Sequence, residues 1–548
     1  MSYDTQESVD AELLALYKIH GSAKRVSEEL NLKGYSERSV HRKLKAIDPN
    51  YRSIVAKELQ QERTEQSDTR PIAAGTLEAP DRLRNTLSGT RFVFTTAQNN
   101  TYVHEGFFTS LIQFCELNDA QLIVSRCSYN KSAYQSVTKD NDELWYDPRL
   151  EEFFLDESVV VANGLLFCGE LDILPTAENP FSGLMSYGMN SSAIVPHVKM
   201  RMNSLPRMKD APPRFMYTTG AVTLRNYIQR KAGQKAEFHH VFGALYVEID
   251  AEGDWFARQL IADADGSFYD LTAKYTPTGV ESNYNVQAIN WGDIHAECMD
   301  DKVMQGAFLD NRSMLNTLKP TYQFIHDLTD FRARNHHNIK DPYFLAKTYF
   351  RGTSSVEAGI IRSAQFLKQI ERAGTKTVVV ESNHDLALQK WLREADIRTD
   401  PVNARYFHIL NAAIYTAIEH DIPRFSIFEN AVRRVWDSKS VVFLREDDSF
   451  VICTDKDGSG GIECGMHGHL GPNGSRGAPN NLKNTGRKAN IGHGHAAGIY
   501  DGLYSAGVSC DLDLGYNKGP SSWSQSHVIT YNNGKRAIIT MRGQKWRA

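Results

Sequence analysis

The chain has 548 residues, 41% of them hydrophobic and 23% charged, which supplies apolar material for two or three domains. It holds no apolar run approaching the ~18 residues of a membrane span, and Met1 to Glu7 lacks the basic head and apolar body of a secretory leader, so a cytoplasmic protein is expected. A net charge of −4 excludes a global attraction to nucleic acid and leaves any such binding to local patches, while seven scattered cysteines without a CxxC pair exclude a disulfide framework and a zinc knuckle.

Residues 10 to 47 read as a three-helix unit. Leu13, Leu14, Leu16 and Tyr17 line a first helix that Gly21 breaks. Ser22 then suits an N-cap for a second helix carrying Ala23, Val26 and Leu30. Ser36 caps a third helix that turns Val40, Leu44 and Ile47 inward. Its other face is basic, with Arg38, His41, Arg42, Lys43 and Lys45. The unit, placed within 1–56, resembles a helix-turn-helix of the kind used by transposases and resolvases, with Arg38, Arg42, Lys43 and Lys45 as DNA-binding candidates. A protein-docking module with a solvated basic face is the alternative. Residues 57–87 are polar and charged and read as a linker.

From Arg91 the pattern becomes α/β. Phe92 to Thr95 is a candidate strand, Phe107 to Leu117 an amphipathic helix and Ala120 to Ser125 a second strand, which together make one βαβ unit. Apolar runs separated by Pro- and Gly-containing turns follow, so residues 88–283 are expected to form a mixed α/β accessory domain. Arg225, Arg230, Lys231 and Lys235 form a basic stretch within it, read as solvated.

Past residue 284, apolar runs repeatedly stop on metal-ligand residue types. Val286 to Trp291 runs into Asp293-Ile-His295. Tyr322 to Ile325 runs into His326-Asp327, and Thr377 to Glu381 into Ser382-Asn383-His384-Asp385. Ile462 to Met466 leads to His467-Gly-His469, and Ala489 to Gly492 to His493-Gly-His495. An Asp-x-His tripeptide alone marks an ordinary surface loop as readily as a site; five such segments in one order are a different signal.

That ordered set resembles the calcineurin-like metallophosphoesterases, whose motifs are Asp-x-His, Gly-Asp, Gly-Asn-His-Asp/Glu, a single His and Gly-His-x-His. The resemblance covers residues 284–548. It implies an α/β (α+β) fold, a β-sandwich flanked by helices with two metals at the strand ends, preceded by the mixed α/β domain and the small three-helix unit. It implies that Asp293, His295 and His495 hold one divalent ion, that Asn383, His467 and His493 hold the other, and that Asp327 bridges them. The mixed nitrogen and oxygen donors suit manganese, with iron or zinc as alternatives. A hydroxide generated between two such ions would attack phosphorus in line with the leaving oxygen. His384 would protonate that oxygen, and Asp385 would orient its imidazole or cap a helix.

The chain departs from the pattern in two places. His326 and Ser382 stand where the family has glycine, which puts the local backbone geometry in doubt. At the fourth motif either His467 or His469 could be the ligand. His467 comes sooner off the strand and is preferred, which leaves His469 either supporting a ligand from behind or facing substrate. The loop from Gly468 to Gly477 is glycine-rich and offers Asn473 and Arg476 to a phosphate, and Arg332 is a second candidate.

The resemblance specifies a metal-dependent phosphoesterase, a hydrolase, without its substrate. With a DNA-binding unit on the same chain, the expected activity is a DNase or DNA-processing nuclease, Mre11-like in manner and similar to early proteins with which some phages degrade host DNA. That would place it in the host cytoplasm. A nucleotide or phosphoprotein phosphatase, and a DNA-binding regulator with a scaffold domain, are the competing readings. A homo-oligomer is compatible with the sequence.

Overall fold

The computed structural model describes residues 11–17, 26, 37–49, 85–129, 144–334 and 339–548. They belong to two compact units, Met1–Leu83 and Arg84–Ala548.

In the first unit residues 11–17 are helical, and a second helix spans Glu37–Ile47. Leu13, Tyr17, Val26, Val40 and Leu44 form a buried cluster, with Leu14, Leu16 and Ile47 packed against it. The spacing of Val40, Leu44 and Ile47 puts them on one helical face, so the basic positions between them turn outward. Arg42 and Lys45 are exposed and Lys43 is half-buried. The side chain of Arg38, the helix expected over 23–30 with its Ser22 and Ser36 caps, and the linker up to residue 84 lie outside the described residues.

The second unit is mixed α/β. Strand Arg91–Gln98 pairs in parallel with Gln121–Cys127, and helix Glu105–Asn118 connects them, which is the βαβ unit read from the sequence. Antiparallel strands Gly243–Ile249 and Trp255–Ile261 complete a four-stranded sheet. A six-stranded sheet is built around Val441–Phe443, Lys376–Val379, Tyr322–Ile325 and Ala288–Asn290. These four are parallel and carry β-branched and aromatic residues, and the inner strands are buried along most of their length, as strands covered on both faces must be. Ser526–Thr530 and Arg536–Thr540 add antiparallel strands on the far side. Helix Val356–Ile370 covers this sheet. Ser355 caps it by accepting the Ala358 N–H, and Val356, Ile360, Ala364, Leu367 and Ile370 point into the core with Trp291 and Phe308.

A ten-stranded sheet packs on the opposite face. Ala288, Phe324 and Val378 of the first sheet meet Ile452, Ile462 and Cys464 of the second. Between them Asn490 Nδ2 donates to Asn290 Oδ1 at 2.8 Å, and buried Arg536 Nη1 donates to Asn490 Oδ1 at 2.9 Å. This second sheet crosses the boundary expected at 283/284. Strand Gly498–Tyr500 pairs with Met202–Leu205, and Phe94, Ile194 and Tyr217 share one core with Ile499, Val528 and Ile538. Residues 88–283 therefore do not form a separate compact unit; the ten-stranded sheet draws strands from both sides of the boundary.

Candidate metal centre

Each of the five segments singled out above leaves the carboxyl end of a strand, and backbone hydrogen bonds hold the segments together. The His295 N–H donates to the Asp327 carbonyl at 2.7 Å, the Ile294 N–H to the His326 carbonyl at 2.9 Å and the Gly492 N–H to the His467 carbonyl at 2.9 Å. Turns are forced immediately after the strands: His295, Asp327, His493 and His495 all have φ between 44° and 66°. Such left-handed conformations are costly for non-glycine residues and persist where the surroundings over-determine them. Gly292 and Gly492 permit the approach. A Cβ at Gly292 would stand 2.6 Å from the Val508 backbone carbon, and one at Gly492 would stand 2.2 Å from Asp293 Oδ1.

The result is a buried cluster. Asp293, His295, Asp327 and His495 each offer an atom, all within 4.8 Å of one another. His495 Nε2 lies 3.0 Å from Asp293 Oδ2 and 3.2 Å from His295 Nε2. Asp327 divides its oxygens: Oδ2 lies 3.6 Å from His295 Nε2 and 3.8 Å from His495 Nε2, while Oδ1 lies 3.4 Å from His467 Nε2. The rings of His467 and His493 are 5.2 Å apart. Asp293 Oδ1, both Asp327 carboxylate oxygens, Asn383 Oδ1 and both His467 nitrogens are buried without a hydrogen-bond partner. Buried polar atoms are rarely left so, and this donor set of carboxylates, imidazoles and one amide could hold a metal ion.

Electrostatics agree with that fit. Burial raises Asp327, but the imidazoles of His467, His384, His495 and His295 outweigh it and hold the carboxyl well below its usual range. Burial lowers His495, yet its contacts with Asp293 and Asp327 push it up to about 9. Burial takes His467 down to about 3 and lowers His493 and His326 as well. A cation would compete with a proton on His495 and would find neutral lone pairs on His467.

The two departures from the resemblance are accommodated. Ser382 sits at φ −125°, open to any residue, and its hydroxyl accepts the Asp385 N–H at 3.1 Å to cap helix Asn383–Glu394. Among residues 326 and 327 it is Asp327, at φ 44°, that takes the left-handed turn.

His384 is buried beside the cluster, its ring 4.8 Å from that of His295. Its Nδ1 lies 2.9 Å from the Asp330 carbonyl and 3.7 Å from Asp330 Oδ1. The carboxylate in contact with this ring is thus that of Asp330, where Asp385 was expected. Asp385 Oδ1 instead accepts the Thr329 N–H at 3.2 Å, and burial pushes its carboxyl well above the usual range. Of the paired candidates, His467 faces Asp327, whereas His469 Nε2 lies 2.9 Å from Glu446 Oε1. Arg332 does not face the cluster through its Nη1, which donates to Cys298 Sγ at 2.8 Å. Asn473 and Arg476 are exposed on a loop that folds back, with the Gly477 N–H donating to the His469 carbonyl at 2.8 Å.

Asp330 is the residue the sequence reading passed over. Its Oδ1 lies 3.3 Å from His295 Nδ1, and the Tyr516 hydroxyl donates to it at 3.3 Å. It stands three residues after Asp327 in the same run, so a second carboxylate at that strand end was the available signal. Beside the cluster a cleft of about 1330 Å³ opens between Asn383 and His469, with Lys390, Trp391 and Glu446 among its walls.

The chain is thus a mixed α/β protein with buried His/Asp clusters able to take metal ions. It is 43% identical over 491 residues to "Protein A1" of Escherichia phage T5, covering 88% of this chain and 87% of that protein, and it belongs to the family of that phage protein. No family model and no solved structure matches the chain. Among the described residues no helix is long and apolar enough to cross a membrane.

Proposed function

We infer that the chain is a metal-dependent phosphodiesterase acting on DNA, with a calcineurin-like two-metal site. The observation that carries this reading is Asp327, one of whose oxygens faces His295 and His495 and the other His467, at the meeting point of five strand ends. Asp293, His295 and His495 would hold one ion and Asn383, His467 and His493 the other, with Asp327 between them. Bound there, two divalent ions would supply a Lewis-acid site for the phosphate and a nucleophilic water at neutral pH.

The remaining roles belong to side chains. A carbonyl only accepts, so His384 Nδ1 donates to the Asp330 carbonyl and the ring hands on a proton from Nε2, as protonation of a leaving alkoxide requires. The Asp330 carboxylate fixes His295 from the far side, at 3.3 Å from Nδ1. The cleft beside Asn383 and His469 gives a substrate its approach. DNA is favoured as substrate because Arg42 and Lys45 are exposed on the helix whose opposite face is buried, a tether to phosphates that a small-molecule phosphatase has no use for. The phage source of the relative fits an enzyme directed at host DNA in the host cytoplasm.

Plasmid DNA and p-nitrophenyl phosphate, each incubated with the protein in Mn²⁺ or EDTA, test the reading. Plasmid cleavage that EDTA abolishes is expected. Release of nitrophenol with the plasmid intact would replace the nuclease with a phosphatase.

A further inference from the structure

A second site lies away from the metal centre, at the opposite end of the strand that delivers His493. Lys488 opens strand Lys488–Ile491, and beside it is a pocket of about 500 Å³. Five cationic side chains line this pocket, Lys199, Arg225, Lys488, Lys535 and Arg536, against two carboxylates, Asp263 and Asp501. In a chain with a net charge of −4, such a concentration of one sign is a local field that ordinary surface composition does not produce.

The cations fall into two groups. Lys199 and Arg536 are buried and committed: Lys199 Nζ lies 2.6 Å from Asp501 Oδ1, and Arg536 donates to the carbonyls of Ala489 and Gly502. The other three are less tightly paired, Lys535 through a long ion pair to Asp263. Arg225 reaches the His240 carbonyl at 3.5 Å and lies over the Phe242 ring at 5.0 Å. Lys535 reaches Asp263 at only 3.7 Å. Lys488, exposed as a whole side chain, is lowered by partial burial and then by the neighbouring charges of Arg536 and Lys535, against a smaller opposing pull from Asp455, so like charges crowd one another at this point. A bound anion would relieve that repulsion.

The shape argues for an extended anion. A second pocket of about 440 Å³ shares Lys488 and Gly534 with the first and adds Arg487, 3.8 Å from Glu463, so the basic lining continues past the common wall beside one carboxylate, Asp455. At the rim Phe238 is 84% exposed, a flat apolar surface beside the positive groove. A cationic track flanked by an exposed aromatic ring is how proteins hold single-stranded nucleic acid, with phosphates in the groove and a base stacked on the ring.

We propose that this groove, centred on Lys488, binds the phosphate backbone of a single nucleic acid strand. The inference rests on the DNA reading above in naming the polyanion, and it gives Arg225 and the end of helix Lys231–His239, both outside the metal-binding segments, a part in holding substrate. Fluorescence anisotropy of a labelled oligothymidylate across a salt series, in EDTA, reads the site without cleavage. Each phosphate contact contributes roughly 0.7 to the slope of log affinity against log salt for a single strand. The full-length triple variant Arg225→Gln/Lys488→Gln/Lys535→Gln is therefore expected to lose about 2 from that slope. Lys488→Gln alone, at an exposed position, should lose about 0.7 and covers the case in which the triple variant melts early. Phe238→Ala should weaken binding with the slope unchanged. The basic helix Glu37–Ile47 is the same in every variant, so differences in slope report this groove. Unchanged slopes in both lysine variants would overturn the proposal. So would binding of thymidine monophosphate that the triple variant loses while its oligonucleotide binding is intact. A protein that cuts no plasmid in Mn²⁺ but shows the slope change would overturn the nuclease assignment and leave this one standing.

Discussion

Gly492→Ala is the sharpest perturbation of the metal centre, because the added atom has one place to go. A Cβ at residue 492 would stand 2.2 Å from Asp293 Oδ1 and 3.0 Å from the Cβ and Cγ of His326, where ordinary contact begins at 3.4 Å. The Asp293 carboxylate must then retreat by about 1 Å, since the buried His326 ring blocks the alternative. The same carboxylate accepts the His493 N–H at 2.8 Å and lies 3.0 Å from His495 Nε2, so two neighbouring imidazoles lose their positions with it. Gly492 is not among the glycines with positive φ, which makes the effect steric and not a backbone conflict. Overpacking of this kind costs about 1–3 kcal/mol of stability. A displacement of about 1 Å in a catalytic group costs on the order of 100-fold in rate. The assay is thermal melting with and without Mn²⁺, together with metal content after desalting: the parent's Tm is expected to rise with Mn²⁺ and the variant's rise to be largely lost. Gly494→Ala is the control, because its Cβ meets only Ser505 Oγ, at 3.7 Å, and it should bind metal as the parent does. If Gly492→Ala retained Mn²⁺ like that control, Asp293 would not be a ligand.

Asp327→Asn and His493→Ala are expected to abolish metal retention and cleavage together, read by metal content and by the plasmid assay; loss of cleavage with metal retained would remove either residue from the ligand set. His384→Ala should keep its metal and lose about 100- to 10,000-fold in rate, the range of a missing general acid, and full activity at saturating substrate would refute that role. Acid stability provides a test away from the site. Asp501 is faced by Lys199 at 2.6 Å, Lys483 at 3.1 Å and His239 at 3.6 Å, and although burial raises its carboxyl these contacts hold it at about 2 against an ordinary 3.8. A depressed carboxyl stabilises the fold above its unfolded pKa, so this contribution of about 2 kcal/mol is present above pH 4 and lost as pH falls toward 2. The Tm gap between the parent and Asp501→Asn should therefore narrow below pH 4, and a gap constant from pH 6 to pH 3 would show that the carboxylate charge contributes nothing.

What could be read from the sequence divides along a physical line between what a strand announces locally and what only its partners decide. Parallel strands buried on both faces appear as apolar runs, and an abrupt stop on Asp, Asn or His marks the end where ligands can gather; Asp293, Asp327, Asn383, His467 and His493 were all legible in this way. Partner choice leaves no such mark. Nothing near Met202 states that it pairs with Ile499, so a sheet continuous across residues 283 and 284 read as two domains. Asp385 and Asp330 show the same limit at the scale of one imidazole. Asp385 adjoins His384 in sequence, but the helix begun at Asn383 sends its carboxylate to the Thr329 N–H, while Asp330 arrives from another strand end with its carbonyl 2.9 Å from the ring. Sequence adjacency within a helix places consecutive side chains about 100° apart, so the neighbour best placed to orient a buried helix histidine is one from a facing loop. The Lys488 groove extends the same reasoning, since its cations come from strand starts and turns as far apart in the chain as Arg225 and Lys535, and only the closed sheet makes them neighbours.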